Sequence, residues 1–141
     1  MRSSFAIVAL FLLLQCKPPA KDVSTASLQN TYWKLSTMNG KAIVTPENGR
    51  EVHIVLSKEG DDLKLKGFAG CNSMGGSYTT TGDNIKFVVI STKMFCQDRM
   101  EVENYLFSVL QKADHYKIEG EKLTLYEGTT LLTTFDSVYF N

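Results

Sequence analysis

No apolar run in this chain reaches the roughly 20 residues that a membrane-spanning helix needs. The longest, Phe5 to Leu14, stops at ten. Histidine is scarce, with two residues, His53 and His115. Neither sits in a cluster with zinc-ligand spacing or beside a nucleophile-and-carboxylate set, so no zinc centre and no triad is read from them. The three cysteines, Cys16, Cys71 and Cys96, contain no Cys-x-x-Cys pair for thiol exchange. Fifteen basic side chains balance fifteen acidic ones without a long basic run, which disfavours nucleic acid as a partner. The glycines around Cys71 lack the lysine and hydroxyl of a nucleotide loop, and Glu59-Gly60-Asp61-Asp62 lacks EF-hand spacing. No catalytic residue, cofactor or metal is therefore expected.

What is present begins at the N-terminus. Arg2 is the one charged side chain before the Phe5–Leu14 run, which fits the apolar core of an export signal. The run ends at Leu13-Leu14-Gln15-Cys16, and the composition shifts at Lys17-Pro18-Pro19. This resembles a bacterial lipoprotein signal over residues 1–15, with Cys16 as the acylated first mature residue. Gln15 departs from the small residue usual at that position. Ordinary signal-peptide cleavage and an uncleaved chain are the competing readings. Residues 16–27, rich in Pro, Ala, Ser, Thr and charge and without apolar periodicity, read as a tether. Residues 28–141 are one domain's worth of chain. The expected location is the bacterial cell envelope, with the domain held to a membrane through lipid and facing the periplasm or cell surface.

The domain reads mostly as strands. Tyr32, Trp33 and Leu35 precede the turn pair Asn39-Gly40. Val52, Ile54 and Leu56 alternate on one strand face, with His53 and Val55 on the other. After the turn at residues 59–62, Leu63, Leu65 and Gly67 resume the alternation, a hairpin pattern. A short strand at Tyr78–Thr80 turns through Gly82 into Ile85–Ile90. Late strands follow at Tyr116–Ile118, Leu123–Tyr126 and Leu131–Phe135, and Val138 and Phe140 close the domain. One helix interrupts them. Asp98 is its expected N-cap, with Glu101 three residues on as in a capping box. Val102, Tyr105, Leu106, Val109 and Leu110 form its apolar face, and Glu103 falls outside that set. The expected fold class is α+β, a curved, barrel-like, mainly antiparallel β-sheet with one α-helix packed against it.

The ordered set Thr31-Tyr32-Trp33-Lys34-Leu35, Gly67-Phe68-Ala69-Gly70-Cys71-Asn72, Gly75-Gly76-Ser77-Tyr78 and Thr92-Lys93-Met94-Phe95-Cys96 resembles the META domain of the heat-shock HslJ-like proteins. Phe95 stands where many relatives have Ala. The resemblance implies a small β-rich domain with a helix, commonly exported or membrane-associated. It also implies a family not generally associated with catalysis, some of whose members are linked to heat or antibiotic stress.

With Cys16 assigned to lipid, Cys71 and Cys96 remain as a pair, and an exported compartment permits a disulfide between them. Buried free thiols are the alternative. Gly70, Gly75 and Gly76 read as a tight turn or bulge, with Asn72 pinning it to nearby backbone. Trp33 reads as core or as a ligand platform. Met94 and Phe95 either seal the sheet around Cys96 or contact a partner. Three functions follow. The first is a non-catalytic envelope lipoprotein in stress tolerance or envelope maintenance, acting by protein binding. The second is an apolar-ligand binder using the mouth of the sheet, lined by Trp33, Tyr78 and Phe87. The third is an enzyme whose cleft the sequence does not reveal.

Overall fold

The structure, a computed structural model, describes residues 25–140. The expected signal 1–15, the lipidation site Cys16 and most of the expected tether lie outside the described residues. The ordered domain reaches back further than expected. Ala26 is buried, and its N–H donates to Gly120 O at 2.9 Å. Thr31 Oγ1 donates to Ser27 O at 2.6 Å. The last residues assigned to the tether therefore belong to the fold.

Ten strands and one helix follow in order: β1 (Tyr32–Leu35), β2 (Thr37–Met38), β3 (Lys41–Ala42), β4 (His53–Glu59), β5 (Asp62–Phe68), β6 (Ser73–Thr81), β7 (Asn84–Ser91), α1 (Met100–Lys112), β8 (His115–Glu119), β9 (Lys122–Glu127) and β10 (Thr130–Val138). Eight strands close into an antiparallel ring in the order β1-β10-β9-β8-β7-β6-β5-β4. The expected α+β class, with a barrel-like antiparallel sheet and one packed helix, is what forms. The β4–β5 hairpin pairs Glu59 with Asp62 across Gly60, and the β6–β7 hairpin pairs Thr81 with Asn84 across Gly82. Closure is weakest between β7 and β8, which pair at Asn84 and His115 alone. Two backbone bonds flank that pair, Ile85 N–H to Asp114 O at 3.0 Å and Tyr116 N–H to Asp83 O at 2.9 Å. Helix α1 packs along β7 and fills the space beside it.

Period-two alternation puts one face of each strand inside the ring. Trp33, Leu35, Ile54, Leu56, Leu65, Ile85, Leu123, Leu125 and Phe135 are fully buried there, joined by Leu106 and Leu110 of α1. Each such side chain contributes about 1.5–3 kcal/mol of burial, offset by the entropy of ordering the chain. His53, on the opposite face of β4, is buried too. The ring of Tyr32 stacks on it at 4.2 Å, and Phe140 meets Tyr32 edge-on.

Two local expectations fail. Gly75 and Gly76 are not in a loop or turn. They lie inside β6, a strand of nine residues where three were expected, opposite Ile90 and Val89 of β7. Gly76 has φ +151°, and a Cβ there would sit 1.9 Å from Val88 O. The missing side chain is what lets β7 approach, so glycine here is part of a strand rather than its interruption. The second failure is the helix start. Arg99, not Asp98, occupies the N-cap position, and no side chain caps it. Arg99 N–H instead donates to Cys96 O at 3.0 Å, so the turn leaving Cys96 sets where the helix begins.

Candidate functional site

Antiparallel connectivity sorts the loops onto two ends of the ring. The N-terminal segment and the turns at Gly60, Gly82 and Gly120 share one end. The far end carries residues 36–52, the 69–72 loop and the 92–99 segment that leads into α1. Gly70, Cys71, Asn72, Met94, Phe95 and Cys96, all singled out in the sequence, gather at this far end.

Its centre is Asn72, which is buried. Its side-chain amide donates to Glu103 Oε1 at 2.7 Å and to Met94 O at 2.9 Å. Its side-chain oxygen accepts from Met94 N–H at 2.7 Å and Thr92 Oγ1 at 2.8 Å. Its backbone N–H donates to Glu103 Oε2 at 2.7 Å, and the same oxygen accepts from Cys71 N–H at 3.2 Å. Asn72 thus uses both donors and both acceptors of its amide. It does pin a turn, but the turn is joined to α1 and to residues 92–94 rather than only to its own neighbours. Cys71 and Cys96 form a disulfide with Cα atoms 5.7 Å apart, a second tie between the same segments. Gly70, at φ +125°, completes the approach. A Cβ there would come within 2.7 Å of Val102 Cγ1 on the helix.

Sequence reasoning missed Glu103. The helical spacing leaves it outside the apolar face, yet it is buried on α1 together with Leu106 and Leu110. The available signal was its position, three residues before Leu106 and seven before Leu110, on the face those leucines define.

Met94 and Phe95 do not seal the sheet. They are 60% and 80% exposed. The reason is that Asn72 holds Met94 by its backbone N–H and C=O, while the next tie is the cysteine at 96. The two side chains in between face outward. Val88 and Ile90, on the outer face of β7, are also exposed, at 66% and 71%.

The expected aromatic mouth does not exist in that form. Trp33 is fully buried, with Nε1–H donating to Leu28 O at 3.1 Å. Tyr78 is buried, and its hydroxyl accepts from Gln29 Nε2 at 2.9 Å. Burial pushes the Tyr78 hydroxyl above its ordinary pKa. Phe87, half-buried, is its cross-strand neighbour. These three fill the ring rather than line an opening.

A groove of about 310 Å³ lies elsewhere, at the far end. Leu35, Met38, Ile43, Pro46, Val52 and Val102 line it, with Asp98 and Arg99 at its rim. The β2–β3 hairpin forms one wall and is clasped to β10 through Thr37, whose C=O accepts from Thr133 Oγ1 at 2.6 Å. No local sequence pattern announces this groove, because it exists only where that hairpin meets the start of α1.

Several other polar groups are engaged locally. Asp62 pairs with Lys64 and Glu59 with Lys66, so the acidic hairpin tip carries its own cations. The Asp114 carboxylate accepts from Gly128 N–H at 2.9 Å and meets His115 Nδ1 at 2.6 Å, which holds it below the usual carboxylate range. Among the described residues, no three His, Cys, Asp or Glu side chains are grouped to hold a metal. No helix among the described residues is long and apolar enough to cross a membrane.

Comparison with known proteins supports the fold. A solution NMR structure of a protein from Burkholderia xenovorans superimposes with a TM-score of 0.65 at 22% identity, covering 88% of this chain and 99% of that one. A second NMR structure gives a TM-score of 0.61 at 20% identity, covering 77% and 90% of the two chains. At these identities the likeness concerns the fold alone. No curated protein matches the sequence. The family model for the META domain matches residues 26–138, which include the Asn72 network, the Cys71–Cys96 bridge and the closing strand β10. The chain belongs to the META domain family.

Proposed function

We propose that this protein is a lipid-anchored, non-catalytic binding module of the bacterial cell envelope, which serves envelope maintenance or stress tolerance by contacting another protein. The observation that carries this reading is the pairing of a filled ring interior with apolar side chains displayed at the far end. Met94 and Phe95 are exposed on a segment held by a disulfide and by Asn72, so their exposure is built into the fold. A rigid, outward-facing apolar segment suits association, because little conformational freedom is lost on docking. Glu103 supports a non-catalytic site, since both its carboxylate oxygens are occupied in holding the 71–72 backbone and the Asn72 amide.

The anchor is tested by metabolic labelling with a fatty-acid analogue and membrane fractionation. The wild-type chain is expected to carry the label and sediment with membranes, and Cys16→Ser is expected to lose both properties. An unlabelled wild-type chain in the soluble fraction rejects the anchored reading.

The groove between the β2–β3 hairpin and α1 favours a second reading, a small apolar ligand held at this far end instead of the mouth of the ring. Its apolar floor and the Asp98 and Arg99 rim have the make-up of a small-molecule site. Substitution of Val44, an exposed residue of the groove lining, by Trp is expected to block uptake of an apolar fluorescent probe without unfolding the domain.

A further inference from the structure

We infer that the groove between the β2–β3 hairpin and α1 takes a single-chain amphiphile with a small anionic head group. Its apolar part lies on Leu35, Ile43 and Val52, and its head meets Arg99 at the start of α1. The inference rests on the second reading above, an apolar ligand in this groove, and adds the ligand's charge and the side chain that reads it.

The start of α1 has donors and lacks an acceptor. Arg99 is the N-cap residue, and an arginine side chain carries donors only, so it cannot satisfy the first-turn N–H groups. Its own Nε is buried. Among the described residues it is the one buried side-chain nitrogen or oxygen without a hydrogen-bond partner. A buried donor left unmet costs stability. The side chain's one hydrogen bond runs from Nη2 to Arg50 O at 3.3 Å, long for a bond of this kind. So weak a tie lets the guanidinium turn its Nε edge toward a bound group. An anion there supplies the missing acceptor, and the positive end of a thirteen-residue helix favours the same charge.

Two cavities meet at this point. The apolar groove of about 310 Å³ shares Pro46, Asp98 and Arg99 with an open cavity of about 540 Å³. Gly49, Arg50 and Gly70 border the second cavity. The Arg50 guanidinium is stacked over the Phe68 ring at 4.6 Å, which holds a second cation beside the head position. At Gly70 a Cβ would lie 3.6 Å from Arg99 Nε, so the missing side chain keeps that wall low. A volume of 310 Å³ is at the small end of ligand sites, which run from about 300 to 1,000 Å³, and suits one short chain rather than a two-chain lipid.

Glu47, Asp98 and Glu101 also border these cavities and oppose an anion. All three are exposed, where water and salt screen them. Arg99 is half-buried and its unmet nitrogen fully so, and charge acts more strongly in the lower dielectric there. The carboxylates therefore limit the head to one small anion seated on Arg99 and turn away a polyanion.

The test titrates the full chain with decanoate, decanol and decylamine, each below its aggregation concentration, and reads displacement of the apolar fluorescent probe. Decanoate is expected to displace it at a concentration at least tenfold lower than decanol, and decylamine to be the weakest. Arg99→Gln is expected to weaken decanoate at least fivefold and to leave decanol unchanged, a split that a merely structural role would not produce. Glu101→Gln, on an exposed side chain, is expected to strengthen decanoate about twofold and not to affect decanol. Decanol or decylamine equal to decanoate overturns the anionic head while leaving the groove reading in place. An unchanged decanoate preference in Arg99→Gln overturns the role of Arg99. No probe uptake, or no displacement by any of the three, overturns the groove reading and the inference with it. The wild-type series and Glu101→Gln decide the matter even where Arg99→Gln fails to fold.

Discussion

The carboxylate of Glu103 lies 2.7 Å from both the backbone nitrogen and the side-chain nitrogen of Asn72, across 31 residues of sequence. One helix residue thereby organises the loop that holds the exposed segment. Replacing Glu103 with Ala removes the acceptor from three donors, two of them on Asn72 and one on Cys71. A buried donor left unsatisfied costs about 1–3 kcal/mol. Glu103→Ala is therefore expected to lower stability by roughly 3 kcal/mol or more in denaturant titration. It should also speed hydrogen exchange at the Met94 amide. Unchanged exchange there would show that the network does not hold the segment.

Reduction of the Cys71–Cys96 bridge, which closes a separation of 25 residues, is expected to cost roughly 3–4 kcal/mol through the entropy of the unfolded chain. For a domain of this size that lowers Tm by roughly 10–15 °C. Calorimetry of the Cys71→Ser, Cys96→Ser double variant against the oxidised protein measures it.

Neighbouring glycines of β6 should respond in opposite ways. Gly76→Ala places a methyl group 1.9 Å from Val88 O, so β6 and β7 must part. The expected loss exceeds about 2 kcal/mol. Gly75→Ala meets only Leu65 O at 3.7 Å and should stay within about 0.5 kcal/mol of wild type. Equal losses at the two positions would contradict the observed strand geometry.

Trp33 and Phe95 provide the matching contrast between packing and display. Trp33→Ala empties a fully buried site and removes the donor to Leu28 O, at a cost of about 3–5 kcal/mol. Phe95→Ser alters a side chain that is 80% exposed and should change stability by no more than about 0.5 kcal/mol. Denaturant midpoints of the two variants check both values.

His53 makes stability depend on pH. Burial lowers its pKa, with the Arg50 charge adding to the effect and the Glu51 carbonyl and charge opposing it. The folded protein therefore binds this proton less readily than the unfolded chain, whose value is about 6.5. Its contribution is complete above that pH and is lost as the pH falls through 6.5 toward the lower folded value. Denaturation midpoints should decline over that interval, and His53→Gln should flatten the decline. A midpoint that rises on acidification would reverse the sign of the assignment.

Local pattern was enough for the strands around Leu56, Leu65, Ile85 and Leu125, because alternation reports which face is buried. It was enough for α1 as an element, because Leu106, Val109 and Leu110 repeat at helical spacing. It was not enough for the helix start, since the bond from Arg99 to Cys96 belongs to the preceding turn rather than to any capping side chain. Nor did it place Gly75 and Gly76, because glycine inside a strand and glycine in a turn look alike until the neighbouring strand is known.

The sequence by itself determined the class of fold, the order of its motifs and the META resemblance, because these depend on periodicity and on residues near one another in the chain. It also made Cys71 and Cys96 available as a pair. Tertiary structure alone decided that Glu103 is a buried anchor, that Trp33 and Tyr78 are core, that Met94 and Phe95 are displayed and that a groove opens beside Val102. Each of these is a meeting of segments distant in sequence, and only ring closure and the docking of α1 bring those segments together.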